Sequence, residues 1–441
     1  MNISGTKRNS LFRQLKSAAT RFGKKTGYIA RQRTVTGFSF FLMLTFGNLG
    51  KQYPSLAGMA AFFDTRITRQ AVGNRFSERS VNFMSAMLEF LLSLALGAKM
   101  KINASVLETF SRVQIFDSTG FELHRKLENT FPGTGGSASP AACKIHLGYD
   151  PRAAQIVAFE LTRGTSSDSE WFKHHLHGPG AIKQNELLLF DQGFFSVENL
   201  LSIIERKAYF LTRFFFSVSI FDAISKARIN LQTELSNCSE SQKEFNVLLG
   251  PARSLQCRLV CLRATAVQSE KRRAKYKAIQ QKRGKIFSQA TFFFCGWTLL
   301  LTNIPPESVP VDLLYSVYRL RWQIELFFRS LKSVFKINSV SRIQNVFRVK
   351  SEILGKLSAA LLSRYMLEII RTLNDPPAEI SIEKFFRFLA ERTFYWGQLL
   401  LEISRSILRF IKKDLQRIVQ RSTKITQKSR NTSLEVLYAI S

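Results

Sequence analysis

Between residues 113 and 214 the chain alternates short apolar runs with an amphipathic one, a rhythm that confines this stretch to an α/β arrangement. Strand character falls at 113–116, 144–149, 155–161, 186–190 and 209–214, and a helical pattern at 197–207. The runs at 144–149 and 155–161 are joined by Asp150-Pro151-Arg152, a favourable turn sequence, and read as a hairpin. Two aspartates directly follow apolar strands: Asp117 after Ile115-Phe116, and Asp191 after Leu188-Leu189-Phe190. Functional groups collect at strand ends in α/β sheets, so neighbouring strands would bring these two carboxylates to one sheet edge. Taken singly, an aspartate after a strand is more often a turn or capping residue than a catalytic one.

With 441 residues the chain has room for two or three domains. Residues 1–105 read as a helical, DNA-binding region. Within it, residues 56–63 are expected as a short helix, Asp64-Thr65-Arg66 as a turn, and Thr68 as the cap of a second helix through Arg75 to Met87. Arg69 and Arg75 suit the reading helix of a helix-turn-helix, against the plainer alternative of an ordinary helical hairpin. Residues 106–214 form the first part of the core. At 215–303 the rhythm breaks: strand candidates at 258–263 and 292–301 flank a basic helical stretch at 271–285, which reads as an inserted, partly β subdomain. A second core segment is expected at 304–365, and 366–441 as a basic helical region with Arg405, Arg409, Lys412, Lys413, Arg417 and Arg421 at helical spacings.

The formal charge of +32, from 64 Lys and Arg against 32 Asp and Glu, demands a polyanionic partner, with nucleic acid ahead of an anionic membrane surface. Nothing is suited to spanning a bilayer: residues 38–46 are too few, and 83–96 are short and carry Glu89, so both read as buried helices. The first 35 residues hold no acid and no signal-peptide core follows, so a cytoplasmic protein is expected. Five scattered cysteines argue for reduced thiols, and Cys257 and Cys261 lack a second pair at zinc spacing. His174-His175-Leu176-His177, beside Gly178-Pro179-Gly180, reads as a solvated loop rather than a transition-metal site.

A third carboxylate stands out downstream. At 100° per residue Tyr318, Arg321, Glu325 and Lys332 share roughly a 60° sector of a helix. Beside them Val317, Leu320, Ile324, Phe327, Leu331 and Val334 repeat as a buried stripe, placing one carboxylate among phosphate-seeking cations at the rim of a docked helix. Packed across the edge that carries Asp117 and Asp191, Glu325 would complete a hard-oxygen site for two Mg²⁺ ions, with Mn²⁺ as the alternative. Glu198 and Glu205 compete for the third place but lack cationic companions.

These residues resemble those of a known family. Tyr318-x-x-Arg321-x-x-x-Glu325-x-x-x-x-x-x-Lys332 is similar to the YREK signature of bacterial DDE transposases of the insertion sequence four family, and Thr302-Asn303-Ile304-Pro305 to that family's approach to its glutamate. Asp117-Ser118-Thr119 resembles its first aspartate motif, and Asp191-Gln192-Gly193-Phe194 its second. Ala142-Cys143-Lys144-Ile145-His146-Leu147 with Tyr149-Asp150 resembles the segment between. The resemblance covers residues 110–360. It implies a ribonuclease-H-like catalytic core interrupted by an insertion, which agrees with an Asp191-to-Glu325 interval nearly twice that from Asp117 to Asp191.

It further implies a cut-and-paste DNA transposase, in which two-metal hydrolysis exposes 3′-hydroxyls at the element's ends before strand transfer. Asp117, Asp191 and Glu325 would be catalytic and hold the metals; Tyr318, Arg321 and Lys332 would hold the end DNA. Trp322 is a candidate to stack on a displaced base, with a core or rim role as the alternative. The implied partners are terminal inverted repeats and target DNA, bound by a homodimer at the bacterial nucleoid. The competing readings are a metal-dependent nuclease that does not join, and a DNA-binding protein without chemistry.

Overall fold

The computed structural model describes residues 5–30, 34–47, 54–63, 67–94, 105–135, 138–153, 155–178, 182–250, 255–373 and 385–387. The turn expected at Asp64-Thr65-Arg66 and the basic series from Arg405 to Arg421 lie outside these residues.

Nine strands among the described residues form one sheet: β1 (Arg112–Glu122), β2 (Ala142–Asp150), β3 (Gln155–Arg163), β4 (Glu186–Phe190), β5 (Tyr209–Arg213), β6 (Phe221–Asp222), β7 (Gln242–Leu249), β8 (Leu255–Arg263) and β9 (Trp297–Thr302). Their order is β3-β2-β1-β4-β5-β9-β8-β7-β6. Only β1–β4 and β4–β5 are parallel. The run β3-β2-β1-β4-β5 holds both parallel pairs and is where the ribonuclease-H-like core was expected. In the β2–β3 turn, Asp150 Oδ1 accepts from the Arg152 and Ala153 amides at 2.8 and 3.0 Å, which closes the expected hairpin.

Residues 215–303 continue this sheet through the antiparallel β5–β9 pair. Two details differ from expectation. Ser288 caps a short helix, Gln289–Phe294, so the last strand starts at Trp297 and not at 292. Strand β7 escapes sequence reading because its first half, Gln242-Lys243-Glu244-Phe245-Asn246, is polar and largely exposed. The basic stretch is the helix Ala266–Arg283, opened by a Thr265/Gln268 capping box.

Side chains alternate across the sheet and sort into two cores. Val113 and Ile115 of β1, Leu187 and Leu189 of β4, and Leu211 of β5 face a core shared with the N-terminal helices and with helices Val311–Arg319, Trp322–Ser333 and Val346–Leu373. Phe116, Leu188, Phe190 and Phe210 face the other core, covered by helices Asp168–His177 and Val197–Glu205. Residues of β1 and β4 in step with Val113 and Leu187 therefore point toward the Glu325 helix.

Val346–Leu373 packs along Glu78–Ser93 and passes over Met43–Gly47. A Cβ at Gly355 would lie 2.7 Å from the Leu44 carbonyl oxygen, so only glycine permits that approach. The same helix runs through position 365, where a boundary was expected. In the N-terminal region the expected helix from Thr68 to Met87 is two helices. Thr68 caps Arg69–Gly73, Asn74 ends it, and Ser80 Oγ accepts from the Ser77 amide at 3.1 Å to open Glu78–Ser93. No helix among the described residues is long and apolar enough to cross a membrane.

Candidate active site

Phe116 and Phe190 are Cα partners in the parallel β1–β4 pair. Asp117 and Asp191 come next on each strand, in step with the residues that face the Glu325 helix. Asp117 was expected at a strand end but lies inside β1, because β1 outruns β4 and continues as a hairpin with β2, where Asp117 pairs with Leu147. Asp191 directly follows the last residue of β4 and caps a 3₁₀ turn, its Oδ1 accepting from the Gly193 amide at 2.8 Å. The Ser118 amide donates to Asp117 Oδ1 at 2.8 Å.

The helix that brings Glu325 is anchored by Ile324, Phe327 and Leu331, all buried as the stripe required. Burial of such side chains is worth about 1.5–3 kcal/mol each. The run from Tyr318 to Lys332 is not one continuous helix. Val311–Arg319 and Trp322–Ser333 meet at a tight turn, with Leu320 and Arg321 amides donating to the Val317 and Tyr318 carbonyls, both at 3.0 Å. Such a turn advances faster than 100° per residue, and Tyr318 is buried at 7% exposure instead of lying at the rim. Its hydroxyl has no well-aligned hydrogen-bond partner among the described residues, and burial raises its pKa.

Asp117, Asp191, Glu325, Arg321 and Lys332 line one cleft of about 630 Å³, together with Ser118, Thr119, Phe328, Arg329 and Ser333. Arg321 donates through Nη1 to Asp117 Oδ2 at 3.0 Å and through Nη2 to Glu325 Oε1. Its Nε has no partner among the described residues. Burial opposes the charge of Arg321, but Tyr318, Asp117 and Glu325 outweigh it and raise its pKa. Burial pushes the Asp117 carboxyl up to about 7; Arg321 opposes that rise, while Asp191 and Glu325 add to it. Lys332 Nζ donates to the Gly120 carbonyl at 3.2 Å, and burial lowers its pKa.

The donor set of three carboxylates suits a hard divalent cation. Among the described residues no three such groups stand at ligand spacing, and the Arg321 guanidinium holds the counter-charge between Asp117 and Glu325. Trp322 is 48% exposed with the Arg329 guanidinium 5.9 Å from its ring centre, a rim position and not a core one. Arg329, four residues after Glu325, was missed in sequence although its spacing put it on the same face. Arg69 and Arg75 are not part of the cleft: Arg69 is exposed on its short helix, and Arg75 is half-buried beside Tyr28.

Neither competitor of Glu325 reaches the cleft, Glu198 being paired with Lys173 at 2.7 Å. The histidine cluster is not a loop but the end of helix Asp168–His177. His175 stacks on Trp171, while His174 pairs with Glu170 at 3.3 Å.

Residues 108–362 match the family described as Transposase DDE domain. The chain is 29% identical over 68% of its length to the transposase for insertion sequence element IS231F of Bacillus thuringiensis subsp. israelensis, spanning 65% of that protein. It is 23% identical to the transposase for IS231E of Bacillus thuringiensis subsp. finitimus, over 93% of this chain and 90% of that one. To the transposase for IS1151 of Clostridium perfringens it is 24% identical, over 95% and 93%. With a sheet of this order and a match over more than half its length, the chain belongs to the DDE transposases of the insertion sequence four family.

Proposed function

We propose that this protein is a cut-and-paste DNA transposase that cleaves the ends of its element and joins the exposed 3′-hydroxyls to target DNA. The observation that carries the reading is the convergence of Asp117, Asp191 and Glu325, from three separate elements, on one cleft that also holds Arg321, Arg329 and Lys332. Two-metal cleavage or transfer of a phosphodiester uses that pairing of hard oxygen ligands with phosphate-binding cations.

Asp117, Asp191 and Glu325 would hold two divalent cations, Mg²⁺ or Mn²⁺, which supply activation of the attacking oxygen and stabilisation of the leaving one. Arg321 already pairs with both Asp117 and Glu325. In the loaded site its planar fork would turn to phosphate oxygens of the end DNA, with Lys332 as a compact charge about three turns further along. The Tyr318 ring lies under Arg321, its centre 5.7 Å from the guanidinium carbon, and limits where that group can swing. Trp322, exposed at the rim, would stack on a base leaving the duplex.

The remaining basic surface, with Arg69 and Arg75, would engage terminal inverted repeats and target DNA. A homodimer would bring two ends together in a bacterial cytoplasm, at the nucleoid. The test is joining: a labelled, pre-cut element end is incubated with the protein, Mg²⁺ and a target plasmid. Joined product is expected. Cleavage of uncut ends with no joined product would leave a nuclease instead.

A further inference from the structure

A fourth carboxylate, Asp168, touches the strand residue after Asp117 and the turn after Asp191 from the opposite face of the sheet. Ser118 of β1 and Lys144 and His146 of β2 lie on the face covered by helix Asp168–His177. There Asp168 Oδ1 accepts from Ser118 Oγ at 2.8 Å and from Lys144 Nζ at 3.2 Å, with His146 Nδ1 at 3.4 Å. Its other oxygen, Oδ2, lies 3.0 Å from the position a Cβ would take on Gly193, and Asp191 Oδ1 lies 3.1 Å from it. The Asp168 carboxylate is therefore seated directly on the glycine whose amide holds Asp191.

A buried asparagine repeats the connection. Asn199 Nδ2 donates to the Ser169 carbonyl at 3.0 Å and the Phe194 carbonyl at 3.2 Å, tying the start of the helix to the turn after Asp191. Asp168 is not needed as the helix cap, since Ser167 fills that role by accepting from the Glu170 amide. Its contacts run instead to the residue after Asp117 and to the residue two beyond Asp191.

We propose that Asp168 is a positioning residue that sets the separation and orientation of Asp117 and Asp191 for metal binding, bracing both from behind the sheet. This rests on the reading of those aspartates as metal ligands. Ligand carboxylates depend on the groups that hold them, and loss of such support costs about 10–100-fold in metal affinity or activity.

The experiment titrates the full-length protein with Mn²⁺ and follows free Mn²⁺ by electron paramagnetic resonance, with thermal melting alongside. Asp168→Ala and Ser118→Ala should each weaken binding by about 10–100-fold. The double variant should bind no worse than the weaker single one, because both remove the same contact. Ser118→Ala, which keeps the Lys144–Asp168 pair, should melt close to the parent and decides the question if Asp168→Ala does not fold. Asp117→Asn is the control. Parental Mn²⁺ affinity in that control sinks the reading of the site itself, and the proposal with it. Loss in the control with parental affinity in both Ser118→Ala and Asp168→Ala, or fully additive losses, overturns the bracing role alone.

Discussion

Phe116 of β1 lies opposite Phe190 of β4, and each is followed by the aspartate that faces the Glu325 helix. A slip of one residue would turn one carboxylate to the other face of the sheet, so the paired phenylalanines, both fully buried, fix the site's register. Asp117→Asn, Asp191→Asn and Glu325→Gln are each expected to reduce end cleavage by on the order of 10³-fold, the several kcal/mol a metal clamp contributes. Gel-shift affinity for end DNA should survive. Cleavage within tenfold of the parent in any of the three removes that residue from the reaction.

Arg321 is the counter-charge that allows two part-buried carboxylates to face each other. Replacing it with alanine leaves them uncompensated and should destabilise the fold by about 3 kcal/mol. Mg²⁺ should restore part of that loss, since a cation could then occupy the space between Asp117 and Glu325. Melting in chelator and in Mg²⁺ reads both effects. A Mg²⁺-induced rise no larger than in the parent would show that the guanidinium and the metal do not share that place.

Stability should depend on two rings behind the sheet. His146 and His175 are each held down to about 4, first by burial; Lys144 adds to this for His146 against Asp168, and Arg112 for His175. In the unfolded chain both titrate near 6.5. Between those values the unfolded chain binds more protons than the folded one, so the contribution is fully present above about 6.5 and is lost as pH falls toward 4. The loss is at most roughly 3 kcal/mol per ring. His175→Phe keeps a ring against Trp171 but does not titrate, and its melting temperature should fall less between pH 7 and pH 5. An unchanged slope assigns the pH dependence to other groups.

Some of this architecture is written locally and some is not. Residues 187–190 are apolar and, like Glu186 before them, buried, so that strand could be read to its last residue. The continuation of β1 past Asp117, Ser118-Thr119-Gly120-Phe121-Glu122, is mostly polar and exists because β2 pairs with it, which no local pattern reveals. Three phenylalanines at 292–294 favour a strand by composition, but Ser288 supplies a helix cap first. The Arg321–Glu325 contact follows from i, i+4 spacing. The contact of Arg321 with Asp117 depends on how the helix docks, and the inward turn of Tyr318 on a tightened backbone that a 100° wheel does not anticipate. The brace at Asp168 was hidden because its partners Ser118, Lys144 and Gly193 are scattered in sequence and meet only across strands.

Lys332 offers a test of how the cleft meets DNA. Its side chain is exposed and its ammonium donates, among the described residues, only to the Gly120 carbonyl at 3.2 Å, so little stability depends on the ion itself. Lys332→Ala should therefore melt near the parent while weakening end-DNA binding uniformly across sequences. If it contacts one phosphate, the slope of log affinity against log salt should become shallower by about 0.9. Lys332→Arg keeps the charge and should keep the slope, yet cleavage should fall, because a planar fork does not reproduce a point charge at a single oxygen. A parental slope in Lys332→Ala would place Lys332 off the DNA path and leave Arg321 and Arg329 as the cleft's phosphate contacts.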